Sequence, residues 1–190
     1  MAKSGVALVT IKLKKGLKSL RRTVELAVVM AAIARVNAGG DVRIVEFSIM
    51  SNHIHLIAEA RDSAHLSKGM ASFNTGLGMR LNRLWDRVGQ GSVFLERFHL
   101  EVITSPTQMR NVLTYVLRND VHHRMGLKGL DPCSSAVSFG GFVERQGGPK
   151  VPCVSVEAQT WLLRVGWMEA GPKGLLTLQD SPRVSKVLRA

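Results

Sequence analysis

The chain has 190 residues, 45% hydrophobic and 21% charged, so it can bury a core without disulfide staples. A formal net charge of +12 points to a polyanionic partner, most often nucleic acid, with simple solubility as the alternative. The only two cysteines, Cys133 and Cys153, lack the spacing of a disulfide framework or a zinc knuckle. No export signal or membrane span is evident, so we expect a cytoplasmic protein.

The first part of the chain predicts a strand, a helix and a hairpin. Val6 to Leu13 alternates as a strand and leads into a basic run. From about Ser19 to Val36 apolar residues recur at helical spacing, and an Asn-Ala-Gly-Gly stretch ends the helix. Asp41 to Phe47 is a second strand, and Ser51-Asn52 permits a tight turn into a third, which extends to Ala60.

The next elements complete an α+β pattern. Ser63 to Arg87 is an amphipathic helix with a cationic edge, and Phe94 to Ile103 alternates as a fourth strand. The order β-α-β-β-α-β is that of the ferredoxin-like fold, in which one antiparallel sheet carries both helices on one face.

An additional helix follows at Ser105, with proline at its first position and glutamine three residues after the cap. The apolar stripe of this helix consists of Met109, Val112, Leu113, Val116 and Leu117. The opposite, polar face consists of Asn111, Tyr115, Arg118, Asn119 and His122. A lone tyrosine is often a packing residue. Its polar companions nevertheless predict a wet face, which favours a chemical role for Tyr115.

The third strand contains two histidines one residue apart. Strand side chains alternate, so His53 and His55 project to one side while Ile54 and Leu56 point into the core. An accidental pair is the alternative. Two imidazoles are too few for a closed structural zinc site. The pair therefore needs a third protein ligand and leaves room for a substrate oxygen.

The chemistry follows if the additional helix packs on the histidine face of the sheet. Asn119 lies one turn after Tyr115 and could complete the metal's ligands. Tyrosine attack on a phosphodiester would form a phosphotyrosine intermediate, with the metal polarising a phosphate oxygen. Nearby cations must help to deprotonate the phenol, because no general base is evident. Mixed ligands suit Mg²⁺ or Mn²⁺, although imidazoles would also accept zinc or nickel.

Basic side chains predict the contacts to DNA phosphates. The predicted DNA-binding residues are Lys12, Lys14, Lys15, Arg80, Arg83, Arg97 and Arg118. The predicted catalytic domain covers residues 1–130. Residues 131–190 are expected to form an extension, with a short helix near Glu157 to Met168 and a loose tail from about Leu178.

Several segments together resemble one family. They are SIMSNHIHLIAEA, LSKGMASFNTGLGMRLNR, GSVFLERFH, SPTQMRNVLTYVLRND and LDPCSSAVSF. In this order they resemble the single-tyrosine transposases of the HUH (His-hydrophobe-His) endonuclease superfamily, in the group that includes the REP-associated tyrosine transposases. The resemblance implies a ferredoxin-like core, often a homodimer, that cuts hairpin-forming single-stranded DNA with magnesium or manganese. By position, His53 and His55 match the metal pair, Tyr115 the nucleophile and Asn119 the residue that assists the metal.

The chain departs from the family pattern at two places. The first strand has Ala7-Leu8-Val9 where a histidine is expected, and Arg-Asn-Asp replaces the usual sequence after the tyrosine. The leading hypothesis is a DNA transposase or strand transferase. A replication or conjugation nickase and a catalytically idle DNA- or RNA-binding module are the alternatives.

Overall fold

A single antiparallel sheet organises the protein, whose computed structural model describes residues 5–144, 154–171 and 174–180. The strands are β1 (Gly5–Lys12), β2 (Val42–Ile49), β3 (His53–Ala60) and β4 (His99–Val102). Their spatial order is β2-β3-β1-β4, and every neighbouring pair is antiparallel. The ferredoxin-like α+β architecture predicted from the sequence is therefore confirmed.

The helices cover both faces of this sheet. They are α1 (Thr23–Gly39), α2 (Ser63–Leu84), α3 (Pro106–Leu117), α4 (Asn119–His122) and α5 (Trp167–Glu169), which continues a π-helical segment (Leu162–Gly166). A short 3-10 turn spans Ser135–Ser138. Helices α1 and α2 pack on one face over an apolar layer, while α3 packs on the other. The chemistry-bearing side chains lie on the α3 face.

Local signals account for where the main helices begin and end. Helix α1 stops at Gly40, whose φ of 76° lies in the left-handed region that favours glycine. Asp62 caps α2 by accepting the His65 N–H, and Ser105 caps α3 by accepting the Gln108 N–H. Pro106 occupies the first turn of α3, where its missing N–H costs nothing.

Several predicted boundaries were wrong. The fourth strand begins only at His99, because the preceding residues form a bridge from Phe94 to Leu13 and then an exposed bend. Helix α1 begins four residues later than predicted, at Thr23. The C-terminal helix is shorter than predicted and starts at Leu162. The tail predicted to be loose lies mostly outside the described residues, since residues 181–190 are not among them.

A bulge in β2 changes which side chains face α3. Pairing with β3 shifts between Ile44 and Glu46, so Val45 is an extra residue in the strand. Ile44 and Phe47 consequently pack in the same α1/α2 core, while Val45 packs with α3. Glu46 pairs with Ile57, a residue of the α3-side core, so its side chain lies on the α3 face of the sheet.

The segment after α4 completes the α3-side core. Ala136, Phe142, Leu163, Trp167 and Leu176 are buried in one cluster with Met109 and Val116 of α3. Their burial against the sheet shows that this segment packs on the core; the predicted domain boundary at residue 130 stays a prediction. Within the described residues, no helix is both long and apolar enough to cross a membrane.

Candidate active site

The two histidines of β3 lie on the sheet face that α3 covers. Ile54 and Leu56 are fully buried in the core beneath α1 and α2. His55 is buried and His53 is partly buried at the end of the strand, opposite Lys12 of β1. The alternation predicted from the sequence therefore separates the chemical face from the apolar one.

His55 has a hydrogen-bond partner at each ring nitrogen. Its Nδ1 lies 3.0 Å from Oγ1 of Thr10, which sits directly opposite on β1. Its Nε2 lies 3.2 Å from the hydroxyl of Tyr115. The tautomer with hydrogen on Nδ1 satisfies both contacts, because it donates to Thr10 and accepts the phenol O–H at Nε2.

Tyr115 is buried, with 4% of its surface exposed. The predicted wet face was wrong at this position: α3 turns the tyrosine toward β3, and its ring meets the His55 ring at a centroid distance of 5.0 Å. Burial raises the pKa of the phenol above its ordinary value of 10.0. The hydroxyl is therefore protonated at neutral pH.

Asn119 lies on a different element from Tyr115. Helix α3 ends at Leu117, Arg118 leaves the helical conformation with φ −117° and ψ 29°, and Asn119 begins α4. The expectation of one helix carrying both residues was wrong. Even so, the bend brings Asn119 against β2, where its Nδ2 lies 3.4 Å from Ser48 Oγ and the residue is 1% exposed.

The amide oxygen of Asn119 is buried without a hydrogen-bond partner among the described residues. Such an acceptor is costly in a folded protein, and it calls for a donor or a cation. Ser48 pairs with His55 across the β2–β3 ladder, so the amide lies on the histidine side of the sheet.

The electrostatics keep both imidazoles neutral. Burial, followed by the charges of His123, Lys12 and His122, lowers the pKa of His53 to about 4. Burial, followed by the neighbouring His53, holds the pKa of His55 well below 6.5. Neutral imidazole is the form that coordinates a metal.

Two further histidines, from the end of α4, surround this site. The His123 ring lies 5.2 Å from that of His53, and the His122 ring lies 5.5 Å from that of Tyr115. His122 was predicted to lie on the polar helix face, whereas no role was predicted for His123. Two adjacent histidines that follow a polar helix face are a sequence signal for further site residues. Their position beside β3, however, depends on the bend at Arg118.

Two neutral imidazoles and an amide oxygen are donors of the kind that divalent cations accept. The Nδ1 atoms of His53 and His55 lie 2.9 Å from Asn52 Oδ1 and 3.0 Å from Thr10 Oγ1, the outer partners that orient metal-binding histidines. Among the described residues no group of three His, Cys, Asp or Glu side chains is placed to hold a metal. The Asn119 amide oxygen, which has no partner among those same residues, is the candidate for a third ligand.

The predicted DNA-binding cations lie in different places. Lys14 and Lys15 are exposed in the turn after β1, beyond Lys12. Arg80 and Arg83 line a groove of about 890 Å³ between α1 and α2, on the sheet face opposite Tyr115. Arg97 is exposed beside Phe98, with its guanidinium carbon 5.4 Å from the ring centroid.

Arg118 differs from the other predicted DNA contacts because it is mostly buried. Its side chain is 12% exposed, donates to the Leu178 carbonyl and lies 4.0 Å from an Asp120 carboxylate oxygen. The structure therefore gives this guanidinium an internal role.

Comparisons with known proteins agree on one family and one fold. Residues 11–119, more than half of the chain, match the family model described as "Transposase IS200 like". The structure is similar to that of a REP-associated tyrosine transposase solved with a bound REP hairpin, with a TM-score of 0.56 and 17% sequence identity. The match covers 82% of this chain and 93% of that one, and at this identity it shows the fold. No curated protein matches the sequence.

Proposed function

The chain belongs to the IS200-like transposase family, and we propose that it cuts and rejoins single-stranded DNA with Tyr115 as the nucleophile. One observation carries the proposal: the Tyr115 hydroxyl lies 3.2 Å from Nε2 of His55, inside the face that also holds His53 and Asn119. A hydroxyl nucleophile within hydrogen-bond reach of a neutral imidazole is an arrangement that supports nucleophilic attack on a phosphodiester.

The covalent step exchanges one phosphate ester for another. The phenol oxygen gives up its proton and attacks phosphorus, and the bond from phosphorus to the 3′ oxygen breaks. The leaving oxygen takes up a proton to become a free 3′-hydroxyl, while the strand stays linked through a 5′-phosphotyrosine. Attack by the 3′-hydroxyl of another strand reverses the step and frees Tyr115. Bond energy is conserved throughout, so rejoining needs no nucleotide cofactor.

Side chains of the site hold the reacting groups and the proton. Thr10 fixes the His55 ring, and His55 in turn orients the phenol by accepting its O–H. Burial raises the phenol pKa, so attack depends on positive charge that stabilises the phenolate. Lys12, which lies next to the histidines, supplies such a charge. A divalent cation held by His53, His55 and Asn119 would take the place of the phenol O–H at His55 Nε2, and it would polarise a nonbridging phosphate oxygen.

Single-stranded or hairpin DNA is the proposed substrate. The support is the net charge of +12 and the bound REP hairpin of the structurally similar transposase. A buried tyrosine also needs a strand whose phosphate can enter the site, which a regular duplex does not offer. We also propose that the protein acts as a homodimer and is located in the cytoplasm.

A catalytically idle DNA-binding module is the second candidate. The observation that favours it is the phenol hydrogen bond to His55 Nε2, the nitrogen that a metal would use. The covalent adduct separates the two candidates, because an idle module binds DNA without ever forming it. A related replication or conjugation nickase would share the adduct and differ in its DNA.

Adduct formation tests the proposed function directly. We would incubate the protein and labelled hairpins from DNA flanking its gene with Mg²⁺ or Mn²⁺, and then run a denaturing gel. The parent should become attached to the label, while Tyr115→Phe, which keeps the ring and loses only the oxygen, should bind DNA without an adduct. An adduct in the Phe variant would place the nucleophile elsewhere.

The histidines have a matched test of their own. His53→Ala or His55→Ala should remove divalent-dependent cleavage and leave most of the binding, because phosphate contacts elsewhere carry the affinity. His65→Ala, on α2 away from the site, is the control. Asn119→Ala should have a milder effect. Parent-level cleavage by both site variants would show that the pair is structural.

A further inference from the structure

A second buried acceptor lies on the same sheet face, and the proposed reaction does not use it. Glu46 is 9% exposed, and its Oε2 atom has no hydrogen-bond partner among the described residues. The bulge at Val45 brings this carboxyl onto the α3 face, next to Ser135. A carboxyl left this way destabilises the fold, so the side chain calls for a functional explanation.

Glu46 lines a cavity of about 460 Å³ between the sheet, α3 and the C-terminal segment. This volume is in the range of small-ligand pockets. The remaining walls are largely apolar and aromatic, and include Leu113, Phe139, Trp167 and Met168. The exposed side chains of Arg164 and Glu157 also line it. The cavity thus combines largely apolar and aromatic walls with a buried carboxyl, a combination that can hold a planar ring with N–H groups.

The cavity lies close to the proposed site of cleavage. Glu46 precedes Ser48 by two residues, so the two residues lie roughly 7 Å apart along the strand. Ser48 is the partner of the Asn119 amide. Leu113 is likewise two residues before Tyr115 on α3. A nucleotide near the scissile phosphate is therefore within reach of the cavity.

We propose that this cavity receives one unstacked guanine of the bound DNA strand, with the Glu46 carboxyl accepting its N–H donors. Guanine presents two adjacent donors, N1–H and the N2 amino group, and an ionised Glu46 accepts both. Binding of the base therefore releases the proton that the buried carboxyl holds in the free protein. Aromatic walls hold a flipped base in the way that base-flipping enzymes do. The C-terminal segment, which supplies Trp167, thereby becomes a base-reading wall. The inference rests on the proposed binding of single-stranded DNA, and it is independent of cleavage.

Equilibrium binding without metal tests the inference. In EDTA, fluorescence anisotropy would compare three labelled 12-mers: dT12, the same strand with one central dG, and the same strand with deoxyinosine, which lacks the N2 amino group. The parent should bind the dG strand about tenfold more tightly than dT12, the discrimination of a two-bond base contact. The inosine strand should fall between them.

Two variants assign the preference to the cavity. Glu46→Leu replaces the carboxyl by an apolar side chain of similar bulk, so this variant should bind all three strands equally. Glu101→Leu removes a carboxyl from β4 that does not line the cavity, and it should keep the full preference. Trp167→Phe retains a ring and should weaken the preference without abolishing it.

The outcomes separate this inference from the proposed function. Equal affinity of the parent for dT12 and the dG strand overturns the guanine site and leaves the transposase proposal standing. A preference that survives Glu46→Leu overturns the assignment to this cavity. Failure of the parent to bind any of the three strands counts against both.

Discussion

The buried carboxyl of Glu46 makes a quantitative prediction about stability and pH. Burial raises its pKa from 4.5 to about 8, with a hydrogen bond from Ser135 acting in the opposite direction. A carboxyl with a raised pKa takes up a proton on folding, so its contribution becomes less favourable as pH rises from 4.5 to about 8. Replacing it by glutamine removes this titration and keeps the shape of the side chain.

The size of the effect follows from the two pKa values. Each pKa unit corresponds to about 1.4 kcal/mol, so full ionisation costs the folded state about 5 kcal/mol. Between pH 5.5 and pH 8.5 the cost grows by about 3 kcal/mol, because the unfolded carboxyl is already ionised at the lower value. Glu46→Gln should therefore gain about 3 kcal/mol on the parent over this interval.

Urea unfolding at the two pH values measures the difference. His53, whose pKa is lowered to about 4, adds stability as pH rises from about 4 to 6.5, the opposite sign. Subtracting parent from variant cancels that contribution. Glu46→Leu should give the same pH slope as Glu46→Gln, since neither titrates. Parallel pH profiles for parent and variants would refute the claim that Glu46 is buried and neutral.

Three further predictions concern the fold, the histidines and the DNA contacts. Asp131→Ala should lower the free energy of unfolding, measured in urea, by about 3 to 5 kcal/mol. The reason is that Asp131 is 1% exposed and its two oxygens lie 2.7 and 2.8 Å from the Arg21 guanidinium. A loss below about 1 kcal/mol would contradict this prediction. Thr10→Val should weaken Mn²⁺ binding by calorimetry about 10- to 100-fold, since it removes the partner of His55 Nδ1. Thr114→Val, whose hydroxyl donates to the Arg110 carbonyl, is the control, and equal losses in both variants would argue against a role in metal binding. Replacing Lys14 and Lys15 by alanine should make the slope of log K against log salt concentration for single-strand binding shallower by about 1.4, at ~0.7 per cation. Arg118→Ala should leave that slope unchanged, because its guanidinium donates to the Leu178 carbonyl. A lower slope for Arg118→Ala together with an unchanged slope for the lysine variant would place the DNA on the other side of α4.

The sequence predicts the sheet and the histidine face because both depend on local periodicity. Alternation in β3 separates His53 and His55 from the core, and the cap at Ser105 places α3. These patterns need only neighbouring residues. The order of elements then restricts the topology to the one observed.

The remaining features depend on pairing between distant segments. Thr10 and Ser48 reach the site because both stand opposite His55 on its two neighbouring strands, which only the register reveals. The break at Arg118 leaves no strong sequence signal, since arginine is a good helix former. The bulge at Val45 likewise changes the face on which Glu46 lies, so simple alternation along β2 does not predict it.

The short turn between β2 and β3 has a consequence for which length changes the gene can tolerate. One residue inserted at Ser51-Asn52 would shift β3 by one position and put Ile54 where His55 now faces Thr10. The same shift would drive an imidazole into the apolar layer beneath α1 and α2, so core and chemistry would fail together. The Gly89–Gly91 turn, where both glycines have open space around them, carries no such coupling. We therefore expect insertions and deletions among related chains to accumulate there and to be absent between the strands of the hairpin.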